Sequence, residues 1–354
     1  MALFQIPRIR IAGIAAAVPK NIERNADYKW ISRKERELLM KNVGVETRRV
    51  ISKGTTTSDL CFTAAERLIA EAGWNREEIG ILIFVSQTRD YLIPATSGIL
   101  QDRLKLPKST VVLDINQGCS GYVYGLSVIG NLMLGMGIRK GLLMVGDISS
   151  LNASYRDKST HPLFGDAGTA TLIEQHEDAS PLYFNLEGDG AGYRAIMIPD
   201  GGFRSMITKR SFEYKTYGKG IHRNALHVAL DGVEVFNFSL REVVPNIKSL
   251  LKFSEKSLQD VDFVVFHQAN RLINETLRKM MKLEPEKIPY SIRDFGNTSS
   301  ASVPLTMVSA IGAKLKEKKL NLLLSAFGIG LSWGSVWMET YPLIVPEVIE
   351  YNPS

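Results

Sequence analysis

The feature that most constrains this chain is a pattern that occurs twice. From Val111 to Ser149 the sequence reads VVLDINQGCSGYVYGLSVIGNLMLGMGIRKGLLMVGDIS. From Ile288 to Gly330 it reads IPYSIRDFGNTSSASVPLTMVSAIGAKLKEKKLNLLLSAFGIG. Each runs strand, small polar turn, apolar helix, basic exit, strand and glycine-containing turn. A further apolar strand precedes each copy, ILIFVSQT in one and FVVFHQAN in the other. Identities are few, but order and spacing agree together, as in a duplicated α/β unit with buried strands. The expected halves are residues 1–180 and 181–354. No low-complexity linker parts them, so one continuous core is expected rather than two mobile domains.

Within that frame, strands are predicted at Ile81–Ser86, Thr110–Ile115, Gly141–Val145, Asp262–Phe266 and Leu320–Ala326. Helices are predicted at Thr57–Ala72, Ser120–Met136, Asp231–Phe253, Gln268–Met281 and Ser302–Lys316. The stretch Tyr155–Arg223 breaks the pattern and reads as strands and loops covering a site. The N-terminal apolar run is too short and too interrupted by Arg10 for a signal peptide, and reads as a first buried strand.

Composition narrows the function. No run approaches the roughly 18 apolar residues that a spanning helix needs. Two cysteines in 354 residues are too few for a disulfide framework, and a reduced, cytoplasmic protein is expected. The five histidines show no paired ligand spacing, so no metal site is expected. The formal charge of +6 comes from dispersed basic residues with no aromatic interleaving, which argues against nucleic acid. It suits an acidic partner no better than weakly.

Three residues could carry chemistry. Cys119 lies between a strand and a long apolar helix, where first-turn N–H groups and the helix dipole favour thiolate. His267 ends a strand at the edge where α/β sheets gather ligands. Asn297 sits in the second-half turn that echoes the cysteine turn, and its amide donates without titrating. Each also has an ordinary reading: a small buried hydrophobe, a helix cap, a turn residue. The duplication would bring nucleophile, imidazole and amide together in one acyl-transfer pocket. Cys61, inside the helical run SDLCFTAAERLIA, reads as core.

These motifs carry a family resemblance. DINQGCSGYVYGL around Cys119, HQAN at His267–Asn270, GNTSSASVP at Gly296–Pro304, FGDAGTA at Phe164–Ala170, GVEVF at Gly232–Phe236 and AFGIGLSWGS at Ala326–Ser335 stand in the order found in β-ketoacyl-ACP synthase III. The chain resembles that family over nearly its whole length. The resemblance implies an α/β, thiolase-like five-layered αβαβα fold with internally duplicated halves, and a homodimer. It implies decarboxylative condensation of an acyl thioester, held on Cys119, with a malonyl thioester to give a 3-oxoacyl thioester. His267 and Asn297 would stabilise the enolate, and the N–H groups of Cys119 and Gly330 would form the oxyanion hole. Ile93, Gly232, Phe236, Asn270 and Ile329 would contact substrate. No cofactor is implied beyond acyl-CoA or acyl carrier protein thioesters as substrates.

The departures concern the donor and the acyl group. Leu38 stands where the family has a tryptophan stacking on the adenine of coenzyme A, and Lys158 stands for the arginine opposite. Neither offers a planar face, so a carrier-protein thioester is expected as the alternative donor. Val233 and Ile329 replace a polar residue and a glycine near the substrate, pointing to a specialised acyl group. Arg271, Arg278, Lys279 and Lys282 on the helix after HQAN form a candidate docking face for an acyl carrier protein. Two other functions stay open at this point: acyl transfer to a hydroxyl or amine, and a non-catalytic acyl-binding partner subunit.

Overall fold

The computed structural model describes residues 2–353. Two sheets carry the architecture. The first contains strands β2 (Ile9–Pro19), β3 (Ile79–Val85), β4 (Val111–Ile115), β5 (Lys140–Ile148), β6 (Asp166–Gln175) and β11 (Ile349–Tyr351), ordered β11-β2-β6-β5-β3-β4. The second contains β1 (Ala2–Ile6), β7 (Leu182–Gly188), β8 (Phe263–Phe266), β9 (Leu320–Gly328) and β10 (Ser332–Thr340), ordered β1-β7-β10-β9-β8. In each sheet a parallel pair of neighbouring strands gives way to antiparallel ones: β3–β5 then β5–β6, and β8–β9 then β9–β10. The two terminal strands change places, β1 joining the second sheet and β11 the first.

Helices in three layers alternate with the two sheets, five layers in all. α4 (Gly121–Met136) and α7 (Ser302–Glu317) lie between the sheets, because apolar residues surround them. Tyr122, Val123, Leu126 and Met133 of α4 share one core with Val303, Leu305 and Ile311 of α7 and with both sheets. α2 (Thr57–Ala72) and α3 (Thr96–Arg103) cover the outer face of the first sheet. α5 (Gly232–Ser254) and α6 (Arg271–Met280) cover the outer face of the second, while α1 (Arg33–Val43) meets α6 at one end.

The five helices and five strands predicted by residue range all appear, with ends moved by a few residues. α6 starts at Arg271 rather than Gln268, since the Asn270 side chain accepts from Ile273 N–H at 2.8 Å and sets the cap. Two expectations are corrected. IPYSIRDF is not a strand: Ile292–Phe295 forms a single helical turn. Pro289 cannot donate to a ladder, and Gln268 Oε1 takes the Ser291 and Ile292 N–H groups at 3.2 and 3.3 Å. The second sheet therefore lacks the counterpart of β4. The stretch Tyr155–Arg223 also does more than cover a site. It supplies β6 and β7, which are central strands, before it turns into surface loops and a small hairpin, Lys215–Gly218 with Ile221–Arg223.

Candidate active site

Cys119 occupies the tight turn between β4 and α4. Gly121 N–H donates to Gly118 carbonyl at 2.7 Å, closing the turn. Ser120 does not cap the helix with its side chain. Its hydroxyl instead meets Ser332 Oγ at 2.7 Å, and Gln117 Nε2 donates to both hydroxyls at 2.9 and 2.7 Å. Ser332 Oγ donates in turn to the Ile329 carbonyl at 2.6 Å. This chain of bonds ties the cysteine turn to the turn between β9 and β10. The contact is close enough that a Cβ on Gly328 would lie 2.6 Å from Cys119 Cβ.

That arrangement aims the Ile329 backbone N–H at the cysteine sulfur. The second oxyanion donor expected from the sequence was Gly330, one residue later. At Gly330 itself a Cβ would lie 2.9–3.1 Å from Ser332. The thiol itself departs from expectation too. Burial pushes it up to about 11, and the amides of Ile329 and Cys119 offset only part of that rise. Cys119 is 5% exposed, and removal from water disfavours its charged form.

His267 directly follows β8, buried, with its ring edge-on to Phe327 at 5.7 Å. Nδ1 lies 2.6 Å from Ser302 Oγ, which also accepts from Gln268 N–H at 3.3 Å. Burial pushes the imidazole down to about 3, so the ring is neutral throughout the physiological range. Asn297 is held by its backbone between Leu163 and Gly165, at 2.9 and 3.1 Å. Its Oδ1 accepts from Ser299 N–H at 2.9 Å, and its Nδ2 reaches the Ala269 carbonyl at 3.4 Å.

Ser299 joins the three. Its hydroxyl is 4.0 Å from Cys119 Sγ, its N–H donates to Asn297 Oδ1, and its backbone carbonyl offsets part of the burial that pushes His267 down. It does so in a left-handed conformation with φ of 51°, uncommon for a non-glycine residue. The buried carboxylate of Asp147 supports the turn, accepting from Ser300 N–H and Oγ and from Gln87 N–H. Ser299 was visible only as part of GNTSSASVP, and Asp147 only as a residue of the glycine-containing turn after the strand Gly141–Val145. Backbone geometry, which a linear motif does not display, gives them their places.

A cavity of about 650 Å³ opens beside this turn, lined at its inner end by Ser299, Ile329 and Asp147. Of the expected substrate contacts, Ile329 lines it. Gly232 and Phe236 begin α5, and Asn270 caps α6, all outside this cavity. Ile93 projects from the surface, 86% exposed, beside exposed Tyr91 and Leu92. On the expected docking face, Arg278 is held by Glu275 at 2.9 and 3.0 Å and by the Leu283 carbonyl. Arg271, Lys279 and Lys282 are exposed and carry no ion pair among the described residues. Leu38 is exposed, and Lys158 faces Glu35 at 3.7 Å, with Lys219 3.3 Å from the same oxygen. Among the described residues no cluster of histidine, cysteine and carboxylate side chains could hold a metal.

Comparison with known proteins gives concordant matches. Residues 113–190 match the family model described as 3-oxoacyl-[acyl-carrier-protein] synthase III, and residues 251–340 match its C-terminal counterpart. A β-ketoacyl-[acyl-carrier-protein] synthase III of Syntrophomonas wolfei is 31% identical over 94% of this chain and 97% of its own. The crystal structure of a 3-oxoacyl-(acyl-carrier protein) synthase from Burkholderia xenovorans superposes with a TM-score of 0.93 at 36% identity, covering 99% of each chain. The synthase III of Pseudomonas aeruginosa superposes at 0.83 with 26% identity, over 96% of this chain and 100% of its own.

Proposed function

The chain belongs to the 3-oxoacyl-[acyl-carrier-protein] synthase III family, and from that premise we propose how its residues divide the work. The enzyme is an acyltransferase of the thiolase fold that condenses an acyl thioester with a malonyl thioester, releasing carbon dioxide and a 3-oxoacyl thioester. In our reading Cys119 attacks the donor carbonyl. A carbon–sulfur bond forms, the donor's carbon–sulfur bond breaks, and the thiol proton leaves with the departing thiol. Ser302 accepts from Gln268 and donates its hydroxyl proton to Nδ1 of His267, which leaves the other ring nitrogen as the N–H donor.

The malonyl thioester then loses carbon dioxide, and the electron pair moves onto the thioester oxygen as an enolate. The His267 N–H and Asn297 Nδ2 donate to that oxygen. Neutral donors fixed in a dry site stabilise charge that develops only along the reaction, which lowers the barrier more than it tightens binding. The enolate carbon attacks acyl-Cys119, and the resulting oxyanion is held by the N–H groups of Ile329 and Cys119. Collapse expels the Cys119 thiolate, which takes a proton from solvent.

The observation that carries this assignment is the shared turn at Ser299, which touches nucleophile, imidazole and amide together. Simple transfer to a hydroxyl or amine has no enolate to stabilise and would not need that pair. Release of labelled carbon dioxide from malonyl thioester tests the reading. Retention of full release in both His267→Ala and Asn297→Ala would remove the enolate assignment.

Two finer points follow on the same footing. The donor is an acyl carrier protein thioester: Arg271, Lys279 and Lys282 are exposed, carry no ion pair among the described residues and stay available to an acidic partner. The working unit is a homodimer. β4 is an edge strand with Leu113 exposed, and the nearby tip Tyr91-Leu92-Ile93 exposes three apolar side chains that a second copy would cover.

A further inference from the structure

The cavity that Ser299 and Ile329 line is larger than a two-carbon primer fills, and part of its lining is polar. Its 650 Å³ falls within the roughly 300–1,000 Å³ of sites that enclose a drug-sized ligand. Apolar residues such as Ile196, Leu226 and Val228 line part of it. Gln87, Asn116 and Asn152 line it as well, Gln87 and Asn116 at its exposed part and Asn152 with its carbonyl accepting from Val228 N–H at 2.8 Å. None of these three amide groups has a hydrogen-bond partner among the described residues, although each offers two donors and an acceptor. Other amides near the centre are engaged: Gln117 with Ser120 and Ser332, Gln268 with Ser291 and Ile292. The loop beside the cavity is itself fixed, since Asp200 accepts from Ser205 and Ser211 at 2.6 and 2.7 Å.

A wholly aliphatic chain lying along these amides would displace water from them and return no hydrogen bond. We propose that the acyl group loaded onto Cys119 is an oxygenated chain well beyond acetyl in length, bearing hydroxyl or oxo groups that face Gln87, Asn116 and Asn152. Val228 and Leu226 pack its hydrocarbon, and the amides select its oxygens. This inference rests on the acyl-enzyme reading above. It adds to that reading the class of acyl group.

The test uses the full-length protein with matched carrier-protein thioesters: acetyl, octanoyl, and octanoyl groups hydroxylated at successive carbons. Acylation rates of Cys119 are read by intact mass. At least one hydroxylated chain is expected to outrun octanoyl by about tenfold, the worth of roughly one hydrogen bond, with acetyl slowest. In Asn152→Leu and, separately, Asn116→Leu, the ratio of that chain to octanoyl falls towards one, with thermal unfolding as the check on folding. Acetyl fastest, or octanoyl equal to every hydroxylated chain, overturns the proposal and leaves the acyl-enzyme intact. Acylation by none of the donors contradicts both.

Discussion

Asp147 and Ser300 join the two halves of the chain, the Ser300 backbone N–H and hydroxyl both donating to Asp147 Oδ2 at 3.2 and 2.6 Å. Asp147 lies on β5 of the first sheet, and Ser300 lies in the turn that leads into α7. Its other oxygen accepts from Ser86 Oγ and Gln87 N–H at 3.1 and 2.8 Å. These donors favour the ionised carboxylate, while burial pushes its pKa up. One buried side chain thus fixes the turn on which Ser299 holds His267 and Asn297.

Replacing it should therefore separate the two chemical steps. Asp147→Ala strands several buried donors, at a cost on the order of 2–4 kcal/mol. Carbon dioxide release is expected to fall by about 100-fold, since small misplacements of catalytic groups cost that much. Acylation of Cys119, which depends on the other turn, falls far less. Equal losses in both half-reactions would argue against a positioning role.

A methyl group at Gly328 tests the cysteine's setting. The added carbon would sit 2.6 Å from Cys119 Cβ and 2.8 Å from Sγ, at a backbone φ of 156° that side chains rarely adopt. Gly328→Ala is expected to slow acylation by about 100-fold, measured by intact mass. A rate near wild type would mean that the two turns separate easily.

The buried thiol makes alkylation steeply pH-dependent. With Cys119 pushed up to about 11, its thiolate fraction rises roughly tenfold per pH unit through neutrality. Iodoacetamide should label one site, faster by that factor at each step from pH 7 to 9. Cys61, fully buried with its pKa also raised by burial, should stay unlabelled. Rapid labelling at pH 6 would reveal a thiolate and contradict the burial argument.

The histidine predicts an acid-side stability difference. Burial holds His267 down to about 3, against about 6.5 in an unfolded chain. Below pH 6.5 the unfolded chain takes the proton first, so stability present above 6.5 is lost progressively as pH falls towards 3. Wild type should accordingly lose unfolding free energy faster than His267→Gln between pH 6.5 and 4, by denaturant titration. Parallel curves would mean that the native ring titrates normally.

Much of this was legible in the chain. Apolar periodicity located α2, α4, α5 and α7 to within a residue or two, and the duplicated pattern put Cys119 and Asn297 at related turns. β6 was not legible because its packing requires small residues. A Cβ on Gly168 would lie 2.4 Å from the Cys61 backbone nitrogen, so the strand reads DAGTAT and resembles a loop. The missing sixth strand of the second sheet was hidden for a different reason, since capture of its N–H groups by Gln268 is a tertiary event. In the site, side chains with recognisable chemistry could be picked out by type. Ser299, Asp147 and the Ile329 amide could not, because their contributions come from backbone direction and from bonds across the two halves.

The most direct test is a two-stage intact-mass experiment on the purified protein. Incubation with an acyl carrier protein thioester should add the acyl mass to wild type and leave Cys119→Ala unchanged. Addition of malonyl carrier protein should then discharge that mass, release carbon dioxide in equal amount, and yield a 3-oxoacyl thioester two carbons longer than the primer. An acyl mass that persists on Cys119→Ala, or that is discharged by water, hydroxyl or amine with the malonyl group intact, would contradict the account.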